Sequence, residues 1–256
     1  MRFYTAFATD VGTKKQINQD CISVKNFSTP IGSVALAVLC DGMGGFSHGE
    51  VASRSIVFAF ENWAEQYLPI LAKSEIYDGD IRRHWTELIA AQNKVIRNFG
   101  KQNGFRIGST VTTMLLTETR YFILNIGDSR AYKINSLGAA RITTDHTIVE
   151  NEIELGNMTE AQALNSPMRS VLTKCVGISE TVEPDMFFGD IEHDTVYMLC
   201  SDGFRHLISP DEMKTVLYCG IGSEPESLGK RVLSLIDLNK QRGETDNISA
   251  VIIYVK

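Results

Sequence analysis

The chain has 256 residues, 43% of them hydrophobic and 22% charged, with 31 acidic against 25 basic side chains and a formal charge of −6. That length is ample for a large buried core, and only 6 prolines with an ordinary charge fraction argue against disorder. An acidic chain (pI about 5.4) without a basic run is unsuited to the phosphate backbone of nucleic acid.

Strand-like segments open the chain at Phe3 to Thr9, Cys21 to Phe27 and Ser33 to Cys40, the last apolar on both faces and so expected at the centre of a sheet. Two helices are expected next. One runs from Glu50 to Tyr67, with apolar residues at Val51, Ile56, Phe60, Trp63 and Tyr67. The other runs from Asp80 to Phe99, along a stripe from Ile81 to Phe99 of period near 3.6. β-branched strands follow at Thr110 to Thr117, Arg120 to Ile126 and Ala131 to Ile134, and their short links predict antiparallel neighbours. Thr147 to Arg169 is polar and weakly helical, a surface excursion between better-packed regions. Strands are expected again at Met186 to Phe188 and Thr195 to Cys200, helices near Pro210 to Tyr218 and Pro225 to Asn239, and a final strand at Ile248 to Val255. Strands in meanders with helices in pairs predict an α+β fold of antiparallel sheets covered by helices.

The longest strongly apolar stretch, Val34 to Cys40, is too short to span a bilayer, and MRFYTAFATD lacks the parts of a signal peptide. The five cysteines are scattered and include no CxxC, which fits a reducing cytoplasm better than a disulfide framework or a thiolate zinc site. Cys40 and Cys200 close apolar runs and read as small buried hydrophobes.

The informative feature is a recurrence: Val34–Cys40 runs into Asp41-Gly42, and Val196–Cys200 runs into Ser201-Asp202-Gly203. Asp-Gly alone is a hairpin-turn signal, but neither pair is followed by an alternating strand. A carboxylate at the end of a buried strand is costly without a cation, and no Lys or Arg lies within a few residues of Asp41. Asp128, after a buried strand, and Asp246, before the last one, are similarly placed. Hard oxygen ligands without a Cys/His set suit magnesium or manganese, and carboxylates converging from distant strand ends could hold two such ions. The dinucleotide pattern fails at Ser47, the P-loop pattern fails around Gly229-Lys230, and there is neither an HExxH nor an EF-hand loop.

Taken in order, these residues resemble the metal-dependent protein Ser/Thr phosphatases of type 2C in their compact bacterial form. The motifs are Thr9-Asp10-Val11-Gly12 leading to Asn18-Gln19-Asp20; Asp41-Gly42-Met43-Gly44-Gly45 with Gly49-Glu50-Val51-Ala52-Ser53; and Gly108-Ser109-Thr110. They continue with Gly127-Asp128-Ser129-Arg130, Asp145-His146-Thr147, Val171-Leu172-Thr173, Cys200-Ser201-Asp202-Gly203 and Asp246-Asn247-Ile248. The resemblance implies a four-layer αββα sandwich forming one catalytic domain over residues 1–256, with a flap at 148–169 bordering the active site. It implies two Mn or Mg ions: Asp41 bridging both, Gly42 giving a carbonyl to one, Asp202 and Asp246 completing the other. Asp128 with Asp202 would form a third, weaker site, and Asp20 would hold metal-bound water. A water acidified between the two ions would then attack phosphorus in line with the departing Ser or Thr oxygen, with no phospho-enzyme.

Three positions depart from the family pattern. Lys15 stands where the family usually places a phosphate-binding Arg, keeping the charge but losing the bidentate fork. Gln19 replaces a common Glu. Met43 and Phe46 stand where members carry His, leaving His48 as a candidate general acid and proton donation by metal-bound water as the simpler route. The implied partners are phosphorylated proteins and a cognate Ser/Thr kinase, with no nucleic acid or membrane, on a chain that needs no more than a monomer. The competing class is a silent relative that binds phosphoproteins or a kinase without hydrolysis, a reading suggested by Lys15 and Gln19.

Overall fold

A computed structural model describes residues 1–44 and 48–256; Gly45, Phe46 and Ser47, named above, lie outside the described residues. Eleven strands occur among them: β1 (Phe3–Asp10), β2 (Asp20–Thr29), β3 (Gly32–Gly44), β4 (Ile107–Ser109), β5 (Val111–Leu116) and β6 (Arg120–Ile126). The later ones are β7 (Arg130–Asn135), β8 (Gly138–Arg141), β9 (Asp185–Asp190), β10 (Thr195–Cys200) and β11 (Ile248–Val255). The helices are α1 (Gly49–Leu71), α2 (Asp78–Asn103), α3 (Ile148–Glu154), α4 (Glu160–Leu164), α5 (Asp202–Arg205), α6 (Pro210–Met213) and α7 (Leu228–Gln241). None is long and apolar enough to cross a membrane.

The strands form two antiparallel sheets, ordered β1-β11-β10-β7-β8 and β2-β3-β5-β6-β9, with β4 paired to the end of β3. The period-2 alternation of the strands sorts their residues into three separate cores. On β3, Val34, Leu36, Val38 and Cys40 pack with Phe60, Trp63 and Trp85 of α1 and α2, while Ala35, Ala37 and Leu39 face the other sheet. On β10 and β11, Met198, Cys200, Ala250 and Ile252 pack under Phe204, Val232 and Leu235, while Tyr197, Leu199, Val251 and Ile253 fill the space between the sheets. Helix, sheet, sheet and helix are therefore the four layers, as the resemblance implies. The two apolar runs that lead to the Asp-Gly pairs, Val34–Cys40 and Thr195–Cys200, are buried throughout because each is covered on two faces.

Two expectations change. Short links predict antiparallel neighbours, yet β6 and β7, joined only by Gly127-Asp128-Ser129, belong to different sheets. Gly127 adopts φ 107, a left-handed conformation open to glycine, and there the chain leaves one sheet for the other. The strand β8 escapes a sequence reading because Gly-Ala-Ala-Arg carries neither β-branched nor alternating residues.

Candidate active site

The alternation that buries Ala35, Ala37 and Leu39 between the sheets puts Asp41 on that same face, at the strand end. Directly opposite Asp41, in register, is Asp20 of β2. The Gly42 N–H donates to the Gln19 carbonyl at 3.1 Å, so Asp20 and Asp41 form a non-hydrogen-bonded pair, the geometry that brings side chains closest. Like charges directly opposite are destabilising. Gly42 is required here because a Cβ would lie 2.2 Å from the Gly49 carbonyl oxygen.

Three further carboxylates arrive from the same ends of the sheets. Asp128 follows β6 in the crossover turn, Asp202 opens α5 after β10, and Asp246 precedes β11. Asp41, Gly42, Asp128, Asp202 and Asp246 line one cleft of about 650 Å³, together with Lys15, Gln19, Arg106, Val171, Leu172, Cys175 and Asn247. Asp20 stands beside Asp41 with both carboxylate oxygens buried and without a hydrogen-bond donor. One oxygen of Asp202, Oδ1, is equally bare.

These charges act on one another. Burial, then the charges of Asp20, Asp202, Asp128 and Asp246, hold Asp41 well above the usual carboxylate range. Burial, with Asp202 and Asp246, pushes Asp20 up to about 7; the nearby Ser249 and Ser201 hydroxyls oppose this without forming a proper hydrogen bond to it. Burial and Asp202 push Asp128 up to about 7, with Arg205 pulling the other way. Among the described residues, no three His, Cys, Asp or Glu side chains are gathered tightly enough to clasp one ion. Asp246 instead pairs with Lys15, Nζ to Oδ1 at 3.0 Å. The donor set nevertheless fits a hard divalent cation: it is all oxygen, and three of its oxygens are buried without any partner.

Asn247, 3% exposed, donates to the Val11 and Ile17 carbonyls and accepts from the Gln19 N–H, so it fastens the loop that carries Lys15 beside Asp246. Gly12, at φ 79, sits under the Asp246 carbonyl, which a Cβ would meet at 2.0 Å. Glu244 accepts from the Thr245 and Asp246 N–H groups and lies 3.3 Å from His206 Nδ1, while His206 Nε2 is 3.5 Å from Asp202. Despite the cost of burial, His206 and those two N–H groups hold Glu244 down at about 2. A buried His146 accepts the Gly127 N–H at Nδ1, so its proton is on Nε2, which faces Asp185 at 3.1 Å. His146 thereby fixes the turn that presents Asp128.

Comparison with known proteins matches residues 12–219 to the Protein phosphatase 2C family. The chain belongs to the protein phosphatase 2C family. It is 32% identical, over 96% of its own length and 95% of the relative's, to a protein of Streptococcus pyogenes provisionally described as protein phosphatase 2C-type. Among solved structures, the S. agalactiae serine/threonine phosphatase superposes with a TM-score of 0.86 at 26% identity, covering 100% of both chains. The catalytic domain of the serine/threonine protein phosphatase PstP, in complex with two manganese ions, superposes with a TM-score of 0.78 at 26% identity over 99% of both chains. This protein phosphatase 2C is accordingly a serine/threonine protein phosphatase.

In the phosphatase, His48 does not line the cleft: it is exposed, stacks on Phe105 with centroids 4.8 Å apart and lies 3.9 Å from Glu50. Sequence reasoning missed Arg106 and Arg205. Arg106 reaches the cleft from just before β4, where only its adjacency to the Gly108-Ser109-Thr110 motif marks it. Arg205 ends the first turn after Asp202, too short an element to predict.

Proposed function

We propose that this phosphatase hydrolyses phosphoserine and phosphothreonine in proteins with two manganese or magnesium ions, held by Asp41, the Gly42 carbonyl, Asp202 and Asp246. The observation that carries the reading is the set of bare, buried oxygens on Asp20 and Asp202 beside Asp41. The two manganese ions in PstP, similar over 99% of this chain, support the stoichiometry. When bound, such ions supply a nucleophile at neutral pH by acidifying water, and they neutralise charge developing on the phosphoryl oxygens.

The chain's own residues bind and orient. Lys15, half-exposed at the cleft and held in its charged form by Asp246 against the cost of burial, offers its ammonium to the substrate phosphate. Asp20, directly opposite Asp41, would orient a water at the metal site through its bare carboxylate oxygens. The segment 148–169 acts as a flap over the cleft, since Ser170, Val171 and Leu172, which follow it directly, line one side. A cysteine nucleophile is a poor alternative: Cys175 is at the cleft, but burial pushes its thiol up to about 11. A single catalytic domain over 1–256, working in the cytoplasm against a cognate Ser/Thr kinase, completes the reading.

Hydrolysis of an aryl phosphate and of a phosphothreonine peptide, with manganese and then with chelator, tests this. Turnover of both with manganese and loss with chelator is expected; binding of the peptide without turnover would establish the silent-relative alternative. Lys15→Arg is expected to lower KM for the phosphopeptide about fivefold, the worth of one further hydrogen bond at ~1 kcal/mol. An unchanged KM would remove Lys15 from the phosphate contact.

A further inference from the structure

Asp128, like Asp246 with Lys15, has a cation set against it, but its cation is largely buried where Lys15 is half-exposed. Arg205, the last residue of α5, has a side chain only 14% exposed, and its Nη2 donates to the Asp128 carbonyl oxygen at 3.0 Å. The same nitrogen is 3.8 Å from Asp128 Oδ2 and 3.2 Å from Asp145 Oδ2. Asp145 is itself 5% exposed and locked by Arg130, whose Nε and Nη2 each donate to it at 2.8 Å. Arg205 is thus a tethered charge rather than a mobile one: its position is set by a buried carboxylate and a main-chain oxygen. The tether therefore fixes a guanidinium beside Asp128. Among the described residues, Asp128 has no other Lys, Arg or His within 4.0 Å, whereas neither oxygen of Asp20 nor Oδ1 of Asp202 has any partner at all.

We propose that Arg205 is the resident counter-charge of Asp128, taking the place a third divalent ion would need, so that this cleft loads two ions and not three. The inference rests on the metal assignment of Asp41, Asp202 and Asp246 given above. A dication approaching Asp128 and Asp202 meets a fixed guanidinium that cannot withdraw without leaving Asp145 and the Asp128 carbonyl. Demand for metal is accordingly concentrated where carboxylate oxygens are bare, around Asp20, Asp41 and Asp202. Arg205 is a positioning residue on this account: it ties α5, which carries Asp202, to the turn that carries Asp128.

The test is a titration of the purified full-length chain with manganese, reading free metal by electron paramagnetic resonance up to millimolar concentration. The expected stoichiometry is two ions for the unmodified chain, three for Arg205→Gln, and two for Arg205→Lys, which keeps the charge. Asp128→Asn in the unmodified background is expected to leave both affinities within about threefold, and it serves if Arg205→Gln does not fold. Three ions on the unmodified chain, or two on a folded Arg205→Gln chain, would overturn the proposal while leaving the two-ion reading intact. Binding of no ion at all would overturn that reading and this inference together.

Discussion

Asp202→Asn is expected to leave the chain folded while cutting manganese-dependent phosphopeptide turnover at least ~10²-fold. The carboxylate is 8% exposed, yet Oδ1 has no partner, and Oδ2 lies 3.5 Å from His206 Nε2. An amide of the same shape therefore breaks no hydrogen bond that holds the fold. It also removes a charge that pushes Asp20, Asp41 and Asp128 upward, so the metal-free chain should melt no lower than before. The pairing of lost turnover with retained melting temperature separates loss of a metal ligand from misfolding. Residual turnover within tenfold of the unmodified enzyme would mean that Asp202 holds no ion.

The second large effect is on stability. Manganese at a hundredfold excess over its dissociation constant should stabilise the folded chain by ~2.7 kcal/mol for each ion bound, which for a chain of this size is a rise in Tm of roughly 5–10 °C per ion. Asp41→Asn should abolish that rise and at the same time raise the Tm of the metal-free chain. The physical reason is the strand register. Asp41 and Asp20 are directly opposed at a non-hydrogen-bonded pair, and the Asp20 oxygens are buried without a partner, so removing one charge relieves the other. A mutation that stabilises the empty fold and destroys its response to metal is the signature of a residue placed for chemistry at the expense of packing. A full manganese response in Asp41→Asn, measured by differential scanning calorimetry, would show that the ions bind elsewhere.

The layers of this fold were legible because its strands are so consistently apolar. Val34–Cys40 and Thr195–Cys200 are buried on both faces, and that double coverage is what an uninterrupted apolar run encodes. The carboxylates at their ends were legible for the same reason, as charges where a core strand stops. The crossover at Gly127 was not, because a three-residue link reads locally as a hairpin and the choice of sheet depends on a left-handed glycine and on what packs later. Nor was the Asp20–Asp41 opposition, which depends on strand register, or the Arg205–Asp145–Arg130 cluster, whose members lie 15 and 60 residues apart in sequence. The Lys15–Asp246 pair joins the two ends of the chain, and only the closed sheet brings them together.

The opening charge of −6 takes on a location in this structure. Asp20, Asp41, Asp128, Asp202 and Asp246 gather at one end of the sandwich, with Lys15 and Arg205 as the cations set against them. We propose that Asp41, Asp202 and Asp246 use that acidity to hold the ions of a phosphatase. Anomalous diffraction at the manganese edge, from crystals grown with manganese, tests it most directly. The account predicts strong peaks in the cleft within ligand distance of Asp41, Asp202 and Asp246. Peaks only at other carboxylates, or none in the cleft while the same preparation hydrolyses phosphopeptide, would contradict it.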